Sequence, residues 1–167
     1  MGLVLRYFFF NPFLVDGPSM EPNFHNKEYM FITRVTYYYS PPQRGDVVIF
    51  HPVQSPREAW IKRIIGLPQE EIAIKEGKVY IDGQLLQEPY VANEVKTTVE
   101  NQENVLQRKL KADEYFLMGD NRESSYDSRE IGPVPKINIV GKPWVVLFPL
   151  SDIRLPQQGK PVLVTSQ

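Results

Sequence analysis

Apolar residues recur along this chain in short runs, each cut off by Gly, Pro, Asp or Asn after four to a dozen positions. The runs Tyr29–Val35, Asp46–Phe50, Trp60–Ile65, Ile72–Lys75, Lys78–Ile81, Tyr115–Met118 and Ile137–Phe148 are rich in Val, Ile, Phe and Tyr, which predicts strands. Nothing in the pattern supports a long amphipathic helix. In Val79–Leu86, Asp82-Gly83 stands between apolar flanks, a hairpin signal because a tight primed turn needs positive φ. A second turn is expected at Glu76-Gly77, and both lie in a stretch that reads as an added β-lobe. Residues Asn93–Asp113 are polar and contain neither Gly nor Pro; they read as a mobile excursion with at most a ragged strand or helical turn. The predicted class is mostly β.

The N-terminus breaks the pattern. Met1–Val15 is strongly apolar but interrupted by Arg6, Asn11 and Pro12. A spanning helix needs about 20 predominantly apolar residues, so this segment is too short to cross a bilayer alone. No small-residue cleavage site follows it, which argues against a signal peptide. Two readings stay open: an aromatic-rich, buried first strand, or the remnant of a membrane anchor whose Phe8, Phe9 and Phe10 contact lipid. The cost of exposing such a row of aromatics to water favours the second.

Composition narrows the class further. A chain of 167 residues suits one domain with room for a smaller lobe, and needs no disulfide or metal to be stable. A net charge of -1 offers no concentrated basic surface, so nucleic acid is not an expected partner. The absence of cysteine excludes a thiolate nucleophile and a cysteine-ligated zinc, and two histidines, His25 and His51, make a histidine metal site unexpected. No metal or organic cofactor is expected.

Three segments carry candidate chemistry. In Asp16-Gly17-Pro18-Ser19-Met20-Glu21-Pro22, Gly and Pro fix an irregular backbone around one serine, which suits a nucleophile but is also ordinary loop composition. A serine hydroxyl needs an adjacent base. His25 lies in a polar loop and His51 at a strand end, so neither neighbourhood is distinctly catalytic. In Trp60-Ile61-Lys62-Arg63-Ile64-Ile65, alternation places Lys62 on one face between Trp60 and Ile64. Burial there would lower the lysine pKa toward that of a general base. The competing reading is a lysine that snorkels to water. The third segment, Met118 to Arg129, is dominated by Asp, Asn, Arg, Glu and Ser directly after an apolar run. It lacks the pattern of a calcium loop. Asp127 paired with Arg129 or Arg122 would make a rigid polar platform, and Ser125 could donate to a neutral lysine.

Taken together, these pieces resemble the type I signal peptidases of bacteria and their organellar relatives. The resemblance rests on Gly17–Pro22, Arg44-Gly45-Asp46-Val47-Val48, Ile61–Pro68 and Met118–Arg122 followed by Ser125, Asp127, Ser128 and Arg129, and spans roughly residues 5 to 150. It implies two antiparallel β-sheet lobes: a catalytic lobe from 16–66 and 115–155, a smaller inserted lobe at 67–114, a membrane-associating segment at 1–15, and a tail at 156–167. It implies a Ser–Lys endopeptidase that removes signal peptides from exported precursors after small-x-small residues through an acyl-enzyme. Ser19 would be the nucleophile and its backbone N–H an oxyanion donor, with Lys62 the general base. Ser125 would hydrogen-bond Lys62, Asp127 and Arg129 would form a supporting ion pair, and Asp120, Asn121 and Arg122 would shape the same loop.

The implied partners are secretory precursors and a lipid surface. The implied place is a membrane-anchored protein with its catalytic domain on the extracytoplasmic face of the plasma membrane or in the thylakoid lumen, this chain being shortened at the anchor. The oligomeric state stays open. The chain departs from the family at Gly17, where many relatives carry a hydroxyl residue, at Asn23, where threonine is common, and at Gln69-Glu70 in place of Gly-Asp. Two alternatives remain: a self-cleaving repressor-type Ser–Lys protease, and a non-catalytic β-domain that docks on membranes or partners.

Overall fold

Twelve strands form among the described residues of the computed structural model, which are 11–92, 95–99, 104–156 and 159–164. They are β1 (Asn11–Leu14), β2 (Tyr29–Thr33), β3 (Val47–Phe50), β4 (Trp60–Gly66), β5 (Glu71–Lys75), β6 (Lys78–Ile81), β7 (Gln84–Gln87), β8 (Leu106–Lys109), β9 (Glu114–Met118), β10 (Val134–Pro135), β11 (Ile139–Phe148) and β12 (Val162–Val164). Helix is limited among these residues to two single turns, α1 (Thr36–Tyr39) and α2 (Ser128–Ile131), and three 3-10 turns. The mostly-β expectation holds.

Two antiparallel sheets result, a seven-stranded one in the order β1-β2-β11-β3-β4-β9-β10 and a five-stranded one in the order β12-β7-β6-β5-β8. Central strands of the larger sheet are buried on both faces: all four residues of β3, and every residue of β4 after Trp60. In the smaller sheet the apolar residues alternate, so Ile72 and Ile74 face Val79 and Ile81 across one buried face. Burying each such side chain contributes roughly 1.5–3 kcal/mol. Ile65 of β4 and Phe116 and Met118 of β9 join that cluster, so one core cements the two sheets.

Both expected hairpins form with two-residue turns, Glu76-Gly77 (φ 53° and 75°) and Asp82-Gly83 (φ 47° and 80°). Positive φ at both central residues matches the right-handed twist of the flanking strands. The run expected at Tyr29–Val35 ends at Thr33, where the chain enters α1, and the run expected from Ile137 begins as strand at Ile139, after a 3-10 turn. Part of the polar stretch Asn93–Asp113 is a strand: β8 pairs with β5, Glu71 opposite Lys109. The C-terminal segment, expected as a tail, crosses between the sheets. Arg154 bridges Val146, Gly159 packs closely on Gly45 and Tyr90, and β12 pairs with β7.

Candidate active site

Between β1 and β2 the chain makes a tight loop pinned from below. Val15, Met20 and Phe24 are fully buried in the cluster beneath it. Val15 N–H donates to Glu28 O at 2.9 Å, Glu21 N–H to Pro18 O at 3.1 Å and Phe24 N–H to Met20 O at 2.9 Å. Apolar anchors on both sides thus hold Ser19 at the rim. Gly17 has φ +93°, a conformation L side chains rarely adopt, and its N–H donates to Asn26 Oδ1 at 3.0 Å. Pro18 has no N–H. The Ser19 N–H has no hydrogen-bond partner among the described residues.

Lys62 projects toward this loop from β4. Its register partner is Val48, and Trp60 and Ile64 pack into one apolar cluster. Lys62 is 5% exposed, and its Nζ lies 2.7 Å from Ser19 Oγ and 3.1 Å from Ile61 O. Burial strips water from the ammonium form and lowers the amine to about 8, even though the Asp127 and Asp120 carboxylates pull it upward. Such a lysine is substantially neutral in mildly alkaline water while in contact with a serine hydroxyl.

The segment after β9 supports both residues. Asp127 is completely buried and accepts from Gly119 N–H at 2.9 Å, Ser125 Oγ at 2.7 Å, and Arg129 Nε and Nη2, each at 2.9 Å. Burial alone would raise its carboxyl pKa, but these donors and the Arg129 charge hold it below the usual range. Asp127 also caps α2 in a capping box with Glu130. Asn121 reaches across to the loop that bears Ser19, donating from its backbone to Ser19 O at 3.1 Å and from Nδ2 to Pro18 O at 3.2 Å. A Cβ on Gly119 would collide with Ser125 and with the Ser19 carbonyl, so only glycine lets the two loops meet.

Residues 1–148 match the family described as "Signal peptidase, peptidase S26". The chain belongs to that family. It is 36% identical over 159 residues to signal peptidase I of Bacillus amyloliquefaciens, covering 92% of this chain and 84% of that one. It is 34% identical over 168 residues to signal peptidase I of Leptolyngbya laminosa, covering 96% and 79%. The fold is similar to the crystal structure of a signal peptidase I from Enterococcus faecalis V583, with TM-score 0.51 and 29% identity over 62% of this chain and 97% of that one. Membership makes the chain a serine endopeptidase. The family is membrane-anchored with an extracytoplasmic catalytic domain; among the described residues no helix is long and apolar enough to cross a membrane.

Against the signal peptidase pattern, Ser125 differs from expectation. Its hydroxyl goes to Asp127 Oδ2, and Lys62 has only Ser19 and Ile61 as hydrogen-bond partners among the described residues. A buried carboxylate is the stronger acceptor for that proton. Phe8, Phe9 and Phe10 lie outside the described residues. Sequence reasoning also missed Arg63 and the contacts through which Asp120, Asn23 and Arg122 act. Arg63, beside Lys62, makes a fully buried two-pronged pair with Asp120 (2.7 and 2.6 Å) and donates to Gly45 O. Asn23 Nδ2 joins Asp120 Oδ2 at 2.9 Å to Tyr90 O at 2.8 Å. Arg122 donates to Gly119 O, Glu88 and the Thr97 hydroxyl, so the stretch between β7 and β8 itself holds the supporting loop. The available signal was chemical: a strand arginine flanked by isoleucines needs a buried acid.

A cleft of about 440 Å³ opens onto the Ser19–Lys62 pair. Phe13 and Leu14 of edge strand β1 line one wall, and Trp60, Ile61 and Tyr126 line another.

Proposed function

We propose that this chain removes N-terminal signal peptides from exported precursor proteins, with Ser19 as nucleophile and Lys62 as general base. The observation that carries this reading is the 2.7 Å contact between a buried, pKa-depressed amine and the Ser19 hydroxyl, at the mouth of a cleft. Neutral Lys62 takes the Ser19 proton as Oγ attacks the scissile carbonyl. The oxyanion is met by the Ser19 N–H. The leaving amine takes the proton from Lys62, the mature protein departs, and the signal peptide stays on Ser19 as an ester. Lys62 then deprotonates the water that hydrolyses it. Asp127 and Arg129, with Ser125, act as a rigid floor; Asp120, Asn121 and Arg122 tie that floor to the nucleophile loop and the inserted lobe.

The edge of β1, unpaired among the described residues, suits an extended substrate bound as an added strand, and the apolar walls suit small residues at the first and third positions before the cut. Lipid contact has its own support. Register places Leu14, Tyr29 and Phe148 side by side across β1, β2 and β11, all exposed, with Leu150 and Ile153 exposed just beyond. Such a patch suits the surface of a bilayer on its extracytoplasmic side.

Cleavage of a peptide with an Ala-x-Ala site tests the reading. Ser19→Ala and Lys62→Ala are each expected to lower kcat by roughly three orders of magnitude or more. Processing that survives both substitutions would overturn it.

A further inference from the structure

The cleft carries a feature that proton transfer does not use. Glu58 lines it beside Trp60, and its Oε2 accepts the Trp60 indole N–H at 2.8 Å. That indole is itself wedged edge-on between Phe50 and Tyr126, with ring centroids 6.1 and 5.9 Å away. Among the described residues Glu58 has no cationic partner, whereas the cleft's other carboxylate, Asp16, is neutralised by Lys27 at 2.6 Å. Tyr126 is 61% exposed and presents open ring surface to the same cleft. A carboxylate held by an indole N–H, with no cation paired to it among the described residues and aromatic rings beside it, complements one chemistry well: a cationic head on an apolar stem.

We propose that Glu58, Trp60 and Tyr126 form a specificity subsite that accepts a lysine or arginine side chain of the precursor near the cut. This rests on the peptidase reading above. The Trp60 ring centre is 6.0 Å from Lys62 Nζ, and an extended chain advances about 3.3 Å per residue, so the preferred residue falls within about three positions of the scissile bond. An exposed ion pair and an exposed cation–π contact together amount to roughly a fivefold preference.

Peptides with a fixed Ala-x-Ala site and Lys, norleucine or Glu either at the central x or at one of the first three positions after the cut provide the test. At one position kcat/KM is expected to favour Lys over norleucine by about fivefold and norleucine over Glu, with the preference shrinking at high salt. Glu58→Gln should bring the Lys-to-norleucine ratio to about one, and Glu58→Asp should restore part of it; the ratio is the readout, whatever happens to both rates together. The same labelled peptides bound to the Ser19→Ala variant, followed by fluorescence polarisation, read the subsite without catalysis. A Lys preference in binding with no cleavage by the unmodified protein would sink the peptidase reading and keep the subsite. Equal handling of Lys and norleucine at every position, or a preference that survives Glu58→Gln, would overturn the subsite.

Discussion

An ammonium group at Lys62 has to shed its water inside a strand buried on both faces, and this makes rate and stability both rise with pH, over different windows. Only the neutral amine can take the Ser19 proton, so kcat/KM should climb about tenfold per pH unit up to about 8 and then level off. A profile flat from pH 6 to 9 would exclude Lys62 as the base. For stability, the folded pKa lies below the unfolded 10.5, so the unfolded chain binds the extra proton between those two values and stability rises with pH across that window. Below it the burial cost is fully present. Lys62→Met should therefore raise stability at pH 7 by on the order of 3 kcal/mol, an advantage that fades toward pH 10.5, as denaturant titrations at both pH values would show. Asp127 works in reverse: its folded pKa is depressed, so its contribution is present above the unfolded value of 3.8 and lost as acid protonates it in the fold. Gly119→Ala forces Cβ into Ser125 and the Ser19 carbonyl; a loss of about 1–3 kcal/mol and of most activity is expected by thermal melting and peptide cleavage.

Elements were legible where their cause is local. The hairpin turns at Glu76-Gly77 and Asp82-Gly83 are set by two residues each, and the alternation of β5 and β6 is written in adjacent positions. β8 was hidden because an edge strand with three of its four residues exposed has no buried face to produce alternation. β12 was hidden because its partner, β7, lies 75 residues earlier, Val162 opposite Gln87. In the site, Ser19 and Lys62 stood out by their neighbours, but the Arg63–Asp120 pair depends on β4 and β9 lying side by side, which no local pattern records. That pair also tests the elements. Asp120→Asn leaves a buried arginine half-matched and cuts the link through Asn23 to Tyr90, so a loss of about 3–5 kcal/mol is expected in chemical unfolding.

At the scale of the molecule, the two sheets share one core and the loop that bears Ser19 is gripped from both. The exposed row Leu14, Tyr29 and Phe148 lies on the same larger sheet that carries Lys62, so docking that face on lipid would fix the height of the cleft above it. Replacing Tyr29 and Phe148 together by Ser is expected to weaken vesicle association about tenfold or more in a flotation assay. Cleavage of a soluble peptide should change far less, because neither side chain lines the cleft.

The crossing segment at residues 154–164 has a consequence in time. Arg154 donates to Asn23 O and to buried Glu28, directly beneath the loop that bears Ser19. Among the described residues, Arg154 and β12 are also among the last to be synthesised. A nascent chain lacking them has its serine and lysine already made but the underside of the loop ungripped and the outer edge of β7 bare. The ribosome thus delivers the latch after the blade, and the loop is gripped from below only once Arg154 has been made.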